Sequence, residues 1–428
     1  MKDVIRVGIL GLGVVGSGAV RTLQENGEAI ARKIGAPIVI KRIAVRNLVA
    51  KRAVEVPAGV LTNVASDVID DPEIDVVCEL IGGVEPAHSY LMRALDNGKS
   101  VVTANKEMMA KAGHDLLLKA HEAHRDFLFE GSVGGGIPII QPLKQALAGN
   151  RVREIMGIVN GTTNYILTKM ATEGADFGDV LKEAQAHGYA ESDPTADIEG
   201  YDAQYKTSIL ASIAFNSQID PADIPVEGIT KITRKDMGMA DLLGYTIKLL
   251  GIGQADDAGL RVRVHPALLP KRHPLASVND VYNAIYVRAE PVGDVMFYGR
   301  GAGSGPTGSA VVGDIIEIGR NILAGGTGRL GCTCFDSRSL LPMSSLVTKY
   351  YVRLRTHDRP KVLASVANVF GDFDVSLESV EQRPQSDDSV DIVLLTHRTI
   401  EQNMMSALDV LGRLPTVIAV EGWIRVEK

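Results

Sequence analysis

Residues 4–20 read VIRVGILGLGVVGSGAV, an apolar run of Val and Ile that passes directly into a glycine-rich turn. The glycines have the GxGxxG spacing: the first permits a tight turn, the second lets a pyrophosphate approach the backbone, and the third packs a helix on a strand. A helical pattern follows, so the free N–H groups of its first turn suit a phosphate. The stretch predicts a dinucleotide site made by Gly11, Leu12, Gly13, Val14, Val15 and Gly16.

The second predicted strand, Pro37 to Asn47, bears on which dinucleotide is bound. Folds that prefer NAD usually end this strand with an acidic residue for the ribose 2′-hydroxyl. This strand ends in Arg46 and Asn47, and a guanidinium suits a 2′-phosphate. NADP(H) is therefore the preferred cofactor and NAD(H) a possible one. The alternative for Arg46 is a solvated arginine at a strand end.

Strands and helices alternate through residues 1–135, which predicts an α/β, Rossmann-type domain with a mostly parallel, doubly wound sheet. Further strands are predicted at 74–83, 99–106 and 126–140, with helices at 86–97 and from Glu107. Ligands of such sheets bind outside the carboxyl ends of the strands. Thr103 and Lys106 lie at one such end, and Glu130 and a glycine turn lie at another. Lys106 is alternatively a solvated lysine at a helix start.

An acidic loop precedes a single lysine between His187 and Phe215. Its carboxylates are Glu191, Asp193, Asp197, Glu199 and Asp202. A helix predicted after Gly200 places Asp202 and Lys206 on the face that also carries apolar residues one and two turns later. The two charges form either an ordinary surface ion pair or the mouth of a polar pocket. The acidic, Pro-containing loop favours the pocket.

The pattern changes after Pro138, and 136–306 is predicted to be an α+β substrate and dimerisation domain. Strands are predicted at 261–270 and 282–299, and a strand, turn and helix at 151–170 with the helix capped by Thr162 or Thr163. Residues 299–321 predict either a helix near 307–325 that completes the first domain or a long hairpin connection.

The C-terminal part, 350–428, follows a linker at 341–349. It has the order strand, helix, strand, strand, helix, strand, which predicts a ferredoxin-like module. Asp358 to Pro360 is expected to open its first helix as a turn with proline at the first helical position.

Composition narrows the class of protein. The chain has 428 residues, 45% of them hydrophobic and 23% charged, with a net charge of −7. These values are ordinary for a soluble enzyme of two or three domains. A negative net charge does not indicate a protein that binds nucleic acid. No apolar run is long enough for a membrane span, and the N-terminus lacks a signal-peptide pattern. Cys78, Cys332 and Cys334 lack zinc-site spacing and are expected to be free thiols in the cytoplasm.

Several motifs resemble those of homoserine dehydrogenases. The most specific are NGTTNYILTKM and GYAESDPTADIEGYDAQYK, and TANKE, EGSVGGGIPII and GAGSGPTGSAVVGD are similar to other motifs of the family. The tail resembles an ACT regulatory domain through VRLRTHDRPKVLASVANVF and IVLLTH. The resemblance implies reversible reduction of L-aspartate 4-semialdehyde to L-homoserine with NAD(P)H, in the branch that leads to threonine, methionine and isoleucine.

The resemblance also implies roles for individual residues. Lys206 is the expected acid/base, with Lys106 as the second candidate and Asp202 holding the ammonium. The expected substrate ligands are Glu191, Asp197 and Asp202. The expected cofactor contacts beyond the first glycine turn are Arg46, Thr103, Lys106, Gly188 and Gly303. A sodium ion is expected on carbonyl oxygens of Glu130, Val133, Gly135 and Ile137.

Regulation and assembly follow from the same resemblance. ACT domains that bind amino acids commonly have Gly after DRP, whereas this chain has Lys361. Inhibition by threonine is expected, with an altered effector site, in a homodimer or homotetramer. A phosphorylating semialdehyde dehydrogenase would need a thiolate in the substrate domain, where no cysteine lies. The alternative is a non-catalytic amino-acid sensor built on a dehydrogenase body.

Overall fold

The computed structural model describes residues 2–328, 331–386 and 388–428. The chain divides into two compact units by its contacts. The first unit comprises Met1–Val159, Gln204–Ile224 and Tyr282–Arg338, and the second comprises Asn160–Ala203, Pro225–Val281 and Ser339–Lys428. These bounds differ from the predicted domains 1–135, 136–306 and 350–428, because the chain leaves each unit and returns to it. Residues 350–428 share a compact unit with residues that precede them.

The strands in chain order are β1 Ile5–Leu10, β2 Ile38–Ala44, β3 Leu61–Thr62, β4 Val76–Glu79, β5 Ser100–Thr103, β6 Phe127–Leu128, β7 Arg151–Ile158, β8 Tyr245–Ala255, β9 Leu260–Pro270, β10 Tyr282–Glu290, β11 Gly293–Arg300, β12 Val347–His357, β13 Leu377–Ser386, β14 Ser389–Thr396, β15 Thr399–Ile400 and β16 Val417–Val426. The helices are α1 Val14–Ile34, α2 Ser66–Ile69, α3 Ala87–Asp96, α4 Lys106–Glu122, α5 Gly161–Glu173, α6 Phe177–Ala186, α7 Thr195–Ile198, α8 Tyr201–Ala214, α9 Arg234–Leu242, α10 Ser304–Leu323, α11 Val362–Asp372 and α12 Glu401–Leu411.

The first unit contains a six-stranded sheet in the order β3, β2, β1, β4, β5, β6, and its strand pairs are parallel. This order reverses beside β1, as it does in doubly wound dinucleotide-binding folds. The predicted α/β class is therefore confirmed. The strands β7, β10 and β11 of the same unit form antiparallel pairs.

Helix α10 packs on the first sheet's core, so residues 299–321 are not a hairpin connection. Val311, Ile315 and Ile318 of α10 are fully or almost fully buried in the cluster that holds β1 and α1. Helices α1 and α10 touch at Gly18 and Gly308. A Cβ added at Gly18 would lie 1.9 Å from the Ser304 carbonyl oxygen, so the two helices approach each other this closely only because glycine stands there.

Two local predictions in and beside the first unit are wrong. Residues 126–140 form only the short β6, followed by a 3₁₀ turn at Glu130–Ser132. The Glu130 carboxylate accepts the backbone N–H groups of Ile139 at 2.5 Å and Ile140 at 2.8 Å, which folds this segment back as a loop. Helix α5 is capped by the Asn160 side chain, which accepts the Thr163 N–H at 2.8 Å, rather than by Thr162 or Thr163.

In the second unit, β8 and β9 form an antiparallel pair, and β9 pairs in parallel with β16. The tail runs β12, α11, β13, β14, α12, β16, with only the two-residue β15 added. This confirms the predicted ferredoxin-like order. Strand β12 begins at Val347, inside the predicted linker 341–349. Helix α11 begins at Val362, so Pro360 is not its first residue, and Lys361 before it has φ +72°.

A buried ion pair joins α9 to β12 within the second unit. The Arg353 guanidinium Nε donates to Asp236 Oδ1 at 2.8 Å, and the Tyr351 hydroxyl donates to the same oxygen at 3.0 Å. Both charged side chains are about 2% exposed. The Asp236 carboxylate also forms a capping box with Thr233 at the start of α9, so one carboxylate satisfies the helix end and the buried guanidinium.

Within the part of the chain that the structure describes, no helix has both the length and the apolar character needed to span a membrane.

Candidate active site

The predicted dinucleotide turn lies between β1 and α1, where the strand order reverses. Gly11 has φ +100°, and a Cβ there would lie 2.6 Å from the Leu80 carbonyl oxygen. A Cβ at Gly16 would lie 2.4 Å from the Gly11 carbonyl oxygen, whereas one at Gly13 would meet nothing within 4 Å. Because the space over Gly13 is open and α1 begins at Val14, the turn fits a pyrophosphate on the helix N-terminus.

The carboxyl ends of β4 and β5 are tied together by a residue that the sequence reading missed. Glu79 is fully buried and its carboxylate accepts the Thr103 hydroxyl at 2.6 Å and the Ile81 N–H at 2.7 Å. The Thr103 hydroxyl also accepts the Asn105 N–H at 3.0 Å. The predicted cofactor residue Thr103 therefore uses its hydroxyl to fix this edge of the sheet. An acidic residue at the end of an apolar strand was the available signal for Glu79.

Lys106 is the first residue of α4 and is half-buried. Asn105 caps this helix: its side chain accepts the Met108 N–H at 3.1 Å and donates to the Gly83 carbonyl at 2.6 Å. Lys106 is thereby held at the carboxyl edge of the parallel sheet. Arg46 is exposed and follows β2 by two residues. The Arg52 guanidinium donates to the Asn47 carbonyl and adds a second basic group to this turn that the sequence reading passed over.

The Glu130 turn is rigid and is supported by a second carboxyl group. Asp314 Oδ2 accepts the Glu130 N–H at 2.9 Å, and its Oδ1 accepts the Gln141 side-chain amide at 3.1 Å. Burial, followed by the nearby Glu130 charge, raises the pKa of Asp314 well above its usual value. Gly134 and Gly135 follow with φ +72° and +56°, which reverses the chain over the residues proposed to bind sodium.

The structure describes residues 2–328, 331–386 and 388–428. Among these residues, no group of three or more His, Cys, Asp or Glu side chains could hold a metal ion. A cation at the Glu130 turn would be held by backbone carbonyl oxygens. Hard cations prefer oxygen ligands, and a chain that reverses through two left-handed glycines presents several carbonyls over a short span.

Asn160 joins two of the predicted carboxylates in the second unit. Its amide donates to Asp197 Oδ1 at 2.7 Å and to Asp202 Oδ2 at 2.8 Å, while its oxygen accepts from Thr163. Asp202 is only 5% exposed. Two carboxylates fixed side by side form a negative cluster suited to an ammonium group. The sequence reading assigned Asn160 only to a turn.

Lys206 lies on α8, one turn after Asp202, and is 8% exposed. Its ammonium donates to the Val159 carbonyl at 2.8 Å, and Val159 directly precedes Asn160 in the chain. Because both charged side chains are buried, the pair does not lie on a solvated helix face. A buried ammonium of fixed position can stabilise an oxygen on which negative charge develops.

The loop between α6 and α7 carries the remaining predicted residues of the second unit. Gly188 has φ +73°, and a Cβ there would meet nothing within 4 Å. The Thr162 hydroxyl donates to the Tyr189 carbonyl at 2.7 Å, which ties this loop to α5. Glu191 is exposed. Gly303, with φ +121°, directly precedes α10 in the first unit.

The glycine turn at the strand-order reversal, a buried lysine and a carboxylate cluster define a nicotinamide-dependent oxidoreductase that carries a ferredoxin-like C-terminal module. Full-length relatives identify it further: the homoserine dehydrogenase of Bacillus subtilis (strain 168) is 44% identical over 425 residues, which cover 99% of this chain and 98% of that protein. The chain belongs to the homoserine dehydrogenase family.

Other comparisons agree. The family model "Homoserine dehydrogenase" matches residues 138–316, "Homoserine dehydrogenase, NAD binding domain" matches 11–130, and "ACT domain" matches 350–414. The crystal structure of a homoserine dehydrogenase from Thiobacillus denitrificans superposes with a TM-score of 0.93 at 44% identity, covering 99% of this chain and 98% of that one. A hyperthermophilic archaeal homoserine dehydrogenase in complex with NADPH has a TM-score of 0.63 at 27% identity, covering 74% of this chain and 97% of that one.

Proposed function

We propose that Lys206 is the proton donor and acceptor when this chain interconverts L-aspartate 4-semialdehyde and L-homoserine. A nicotinamide coenzyme supplies the hydride when bound. The Lys206 ammonium, anchored on the Val159 carbonyl, gives a proton to the aldehyde oxygen as negative charge develops there, directly or through one water. The observation that carries this role is the burial of Lys206 together with the anchoring of its ammonium on the Val159 carbonyl. Lys106 is the second candidate.

Substrate orientation is assigned to the acidic cluster. L-Aspartate 4-semialdehyde carries an α-ammonium, and Asp197 and Asp202 are held together by the Asn160 amide. Glu191 in the adjoining loop adds a third negative charge. These carboxylates bind the substrate ammonium and so orient the substrate. Charged hydrogen bonds of this kind contribute about 1.5–3 kcal/mol each.

The experiment for this assignment compares L-aspartate 4-semialdehyde with 4-oxobutanoate, which has the same aldehyde and carboxylate but no ammonium. We expect kcat/KM for 4-oxobutanoate to be lower by about 10²-fold or more, because this aldehyde lacks the ammonium that the acidic cluster is proposed to bind. NADPH consumption is followed by absorbance and the product is identified as L-homoserine by mass spectrometry. Equal kcat/KM values for the two aldehydes would show that the acidic cluster does not bind the substrate ammonium.

The preferred coenzyme is proposed to be NADP(H), with NAD(H) as the weaker one. Arg46 lies just beyond β2, where the adenosine ribose binds in this fold, and Arg52 is tied to the same turn. Arg46 follows the end of this strand, and no carboxylate stands there. A 2′-phosphate is matched by guanidinium groups.

Arg46→Ala is expected to raise KM for NADP⁺ by about 10-fold and to leave KM for NAD⁺ nearly unchanged, because a charge-assisted hydrogen bond is worth roughly 1.5–3 kcal/mol and Arg46 is exposed. Steady-state rates with both coenzymes measure this ratio. Arg32→Ala, an exposed arginine in the last turn of α1, serves as the matched control. A rise of both KM values by the same factor would show that Arg46 does not read the 2′-phosphate.

A sodium ion is proposed at the carbonyl oxygens of Glu130, Val133, Gly135 and Ile137. The rigid Glu130 turn supports this, since its carboxylate caps three successive N–H groups, of Ile139, Ile140 and Gln141. The ion would stabilise this loop without taking part in proton transfer. Replacement of sodium by N-methylglucamine at constant ionic strength tests the proposal: unchanged activity and unchanged thermal stability would dismiss it.

An amino-acid effector, threonine first, is proposed to act through the ACT module. Lys361 occupies a left-handed conformation with φ +72°, which explains why glycine suits the position: a non-glycine residue there costs roughly 1 kcal/mol. We expect L-threonine to inhibit homoserine oxidation, and Lys361→Gly to increase the sensitivity because the backbone becomes accessible. An inhibition curve that stays flat for both proteins, measured at saturating coenzyme, would discard the threonine proposal.

The chain is further proposed to act in the cytoplasm, in the branch that supplies threonine, methionine and isoleucine, as a homodimer or homotetramer. The support is the ACT module, a net charge of −7 and three free cysteines. Light scattering of the purified protein measures the assembly directly, and a monomer at micromolar concentration would contradict it. A non-catalytic sensor is the less favoured alternative, because the glycine turn and Lys206 are both intact.

A further inference from the structure

We propose that Cys332 and Cys334 form a reversible thiol–disulfide site, in which Cys332 attacks small organic disulfides and Cys334 resolves the adduct. The three cysteines of the chain are free thiols, and these two are separated by a single residue. Both are half-buried in the first unit, which leaves each thiol in reach of a small reagent. The site is independent of the dehydrogenase chemistry proposed above.

The groups around Cys332 favour the thiolate form of its side chain. Its Sγ accepts the Cys334 N–H at 3.4 Å and lies 3.7 Å from Nδ1 of His114 on α4. A sulfur that receives several hydrogen bonds is stabilised as an anion, which is the nucleophilic form. Cys334 has a different surrounding, since its S–H donates to the Ser212 carbonyl on α8 at 3.7 Å.

The two thiols are therefore unequal. A hydrogen bond between the two thiol side chains, with further contributions from the Cys334 N–H and from His114, lowers the pKa of Cys332. The same side-chain hydrogen bond, together with burial, raises the pKa of Cys334. The other charged groups near the pair are Lys111 on α4 and Lys144, whose ammonium donates to the Gly331 carbonyl at 3.0 Å. Because the two shifts have opposite directions, Cys332 is the more readily ionised thiol of the pair.

The pair can close a bond with little movement of the chain. Residues two apart have Cα atoms no more than about 7 Å apart, and a disulfide needs a Cα separation of about 4.4–6.8 Å. A cavity of about 60 Å³ adjoins the pair and is lined by His114, Ser208, Ser212 and both cysteines, among others.

The proposed reaction consists of two successive thiol–disulfide exchanges. The Cys332 thiolate attacks one sulfur of R–S–S–R, that S–S bond breaks, and RS⁻ leaves with the electron pair. The Cys334 thiol then loses its proton to solvent or to RS⁻, and its sulfur attacks Cys332 of the mixed disulfide, which expels a second RS⁻. The protein loses two electrons and the reagent is reduced to two thiols. The Cys334 S–H bond to Ser212 of α8, the helix that carries Lys206, is lost in the product.

The test treats the full-length protein with 2,2′-dithiodipyridine and follows released pyridine-2-thione together with intact mass. The wild type is expected to release two equivalents per chain, retain no pyridyl group and lose two hydrogens. Cys334→Ser is expected to release one equivalent and to keep the adduct. Cys78, fully buried with a pKa raised by that burial, provides an internal unreactive thiol. A wild-type protein that keeps the pyridyl adduct would overturn the resolving role.

A second measurement identifies the attacking thiol. Between pH 6 and 8 the rate at which the wild type releases its first equivalent should change by less than about fourfold, whereas that of an ordinary thiol of pKa about 8.5 changes by about 75-fold. Cys332→Ser should react at least about 10-fold more slowly than wild type at pH 7. An ordinary pH profile, or equal rates for Cys332→Ser and wild type, would contradict the proposal. Peptide mapping of oxidised wild type locates the disulfide even if a variant folds poorly.

Discussion

Lys206→Ala is expected to lower kcat for L-homoserine oxidation by about 10²- to 10⁴-fold, the usual contribution of a positioned general acid or base. Coenzyme binding should persist, because the glycine turn at Gly11 to Gly16 is formed without Lys206. The buried ammonium is anchored on the Val159 carbonyl, so alanine removes the proposed proton donor and also its positive charge. Steady-state kinetics combined with NADPH fluorescence titration separates turnover from binding.

Two further lysine variants serve as comparisons for Lys206→Ala. Lys182→Ala is the matched control, since Lys182 is exposed on α6 and pairs with Asp179 at 3.5 Å; its kcat should equal that of the wild type. Lys106→Ala should lose less than Lys206→Ala. Near-normal turnover of Lys206→Ala together with a large loss in Lys106→Ala would exchange the two roles.

Asp236→Ala is expected to lower the free energy of unfolding by about 3 kcal/mol, the lower end of the cost of breaking a buried ion pair, because Glu421 and Asp391 remain 3.8 and 4.0 Å from the Arg353 guanidinium. The substitution removes the hydrogen-bond acceptor of the Arg353 Nε–H and of the Tyr351 hydroxyl. It also removes the capping box at the start of α9. Urea denaturation followed by circular dichroism and by fluorescence of Trp423, the chain's single tryptophan, measures the loss in this unit.

Arg355→Ala is the control for burial. Arg355 lies on the same strand, and its side chain is 46% exposed and pairs with Glu421 at 3.0 Å. Exposed pairs contribute about 0–1 kcal/mol, so this variant should unfold at nearly the wild-type urea concentration. If both variants shifted the midpoint equally, the buried pair would contribute no more than a surface one.

Elements with a strong local signal could be predicted from the sequence. The glycine turn at Gly11 to Gly16 fixes its own conformation, and the apolar β1 before it and the helical pattern after it agree. The order of elements in the tail was also predictable, because its strands alternate and its helices are amphipathic. Strand β8, Tyr245–Ala255, was missed.

Elements that depend on distant partners could not be predicted. The loop after β6 looks like a strand, since DFLFEGSVGGGIPII is rich in apolar residues. It folds back because the Glu130 carboxylate accepts N–H groups nine and ten residues further on. The strand propensity of individual residues does not predict such a contact. The compact units are likewise not readable from sequence, since each combines three separated segments.

The candidate site shows the same division. Asp202 and Lys206 were predicted as site residues because charges on an otherwise apolar helix face are unusual. Asn160 and Glu79 were missed because their partners are 42 and 24 residues away, and Asp314 meets the Glu130 N–H across 184 residues. Polar residues that position other polar residues have no local pattern. They become visible only when the fold brings both partners together.

The most direct test of the central claim is oxidation of L-homoserine by the purified wild-type protein, with NADP⁺ and NAD⁺ in parallel. The account predicts saturable formation of reduced coenzyme with both, faster with NADP⁺ at low coenzyme concentration. A folded protein that binds either coenzyme without turning over L-homoserine would contradict the account and support the amino-acid sensor instead.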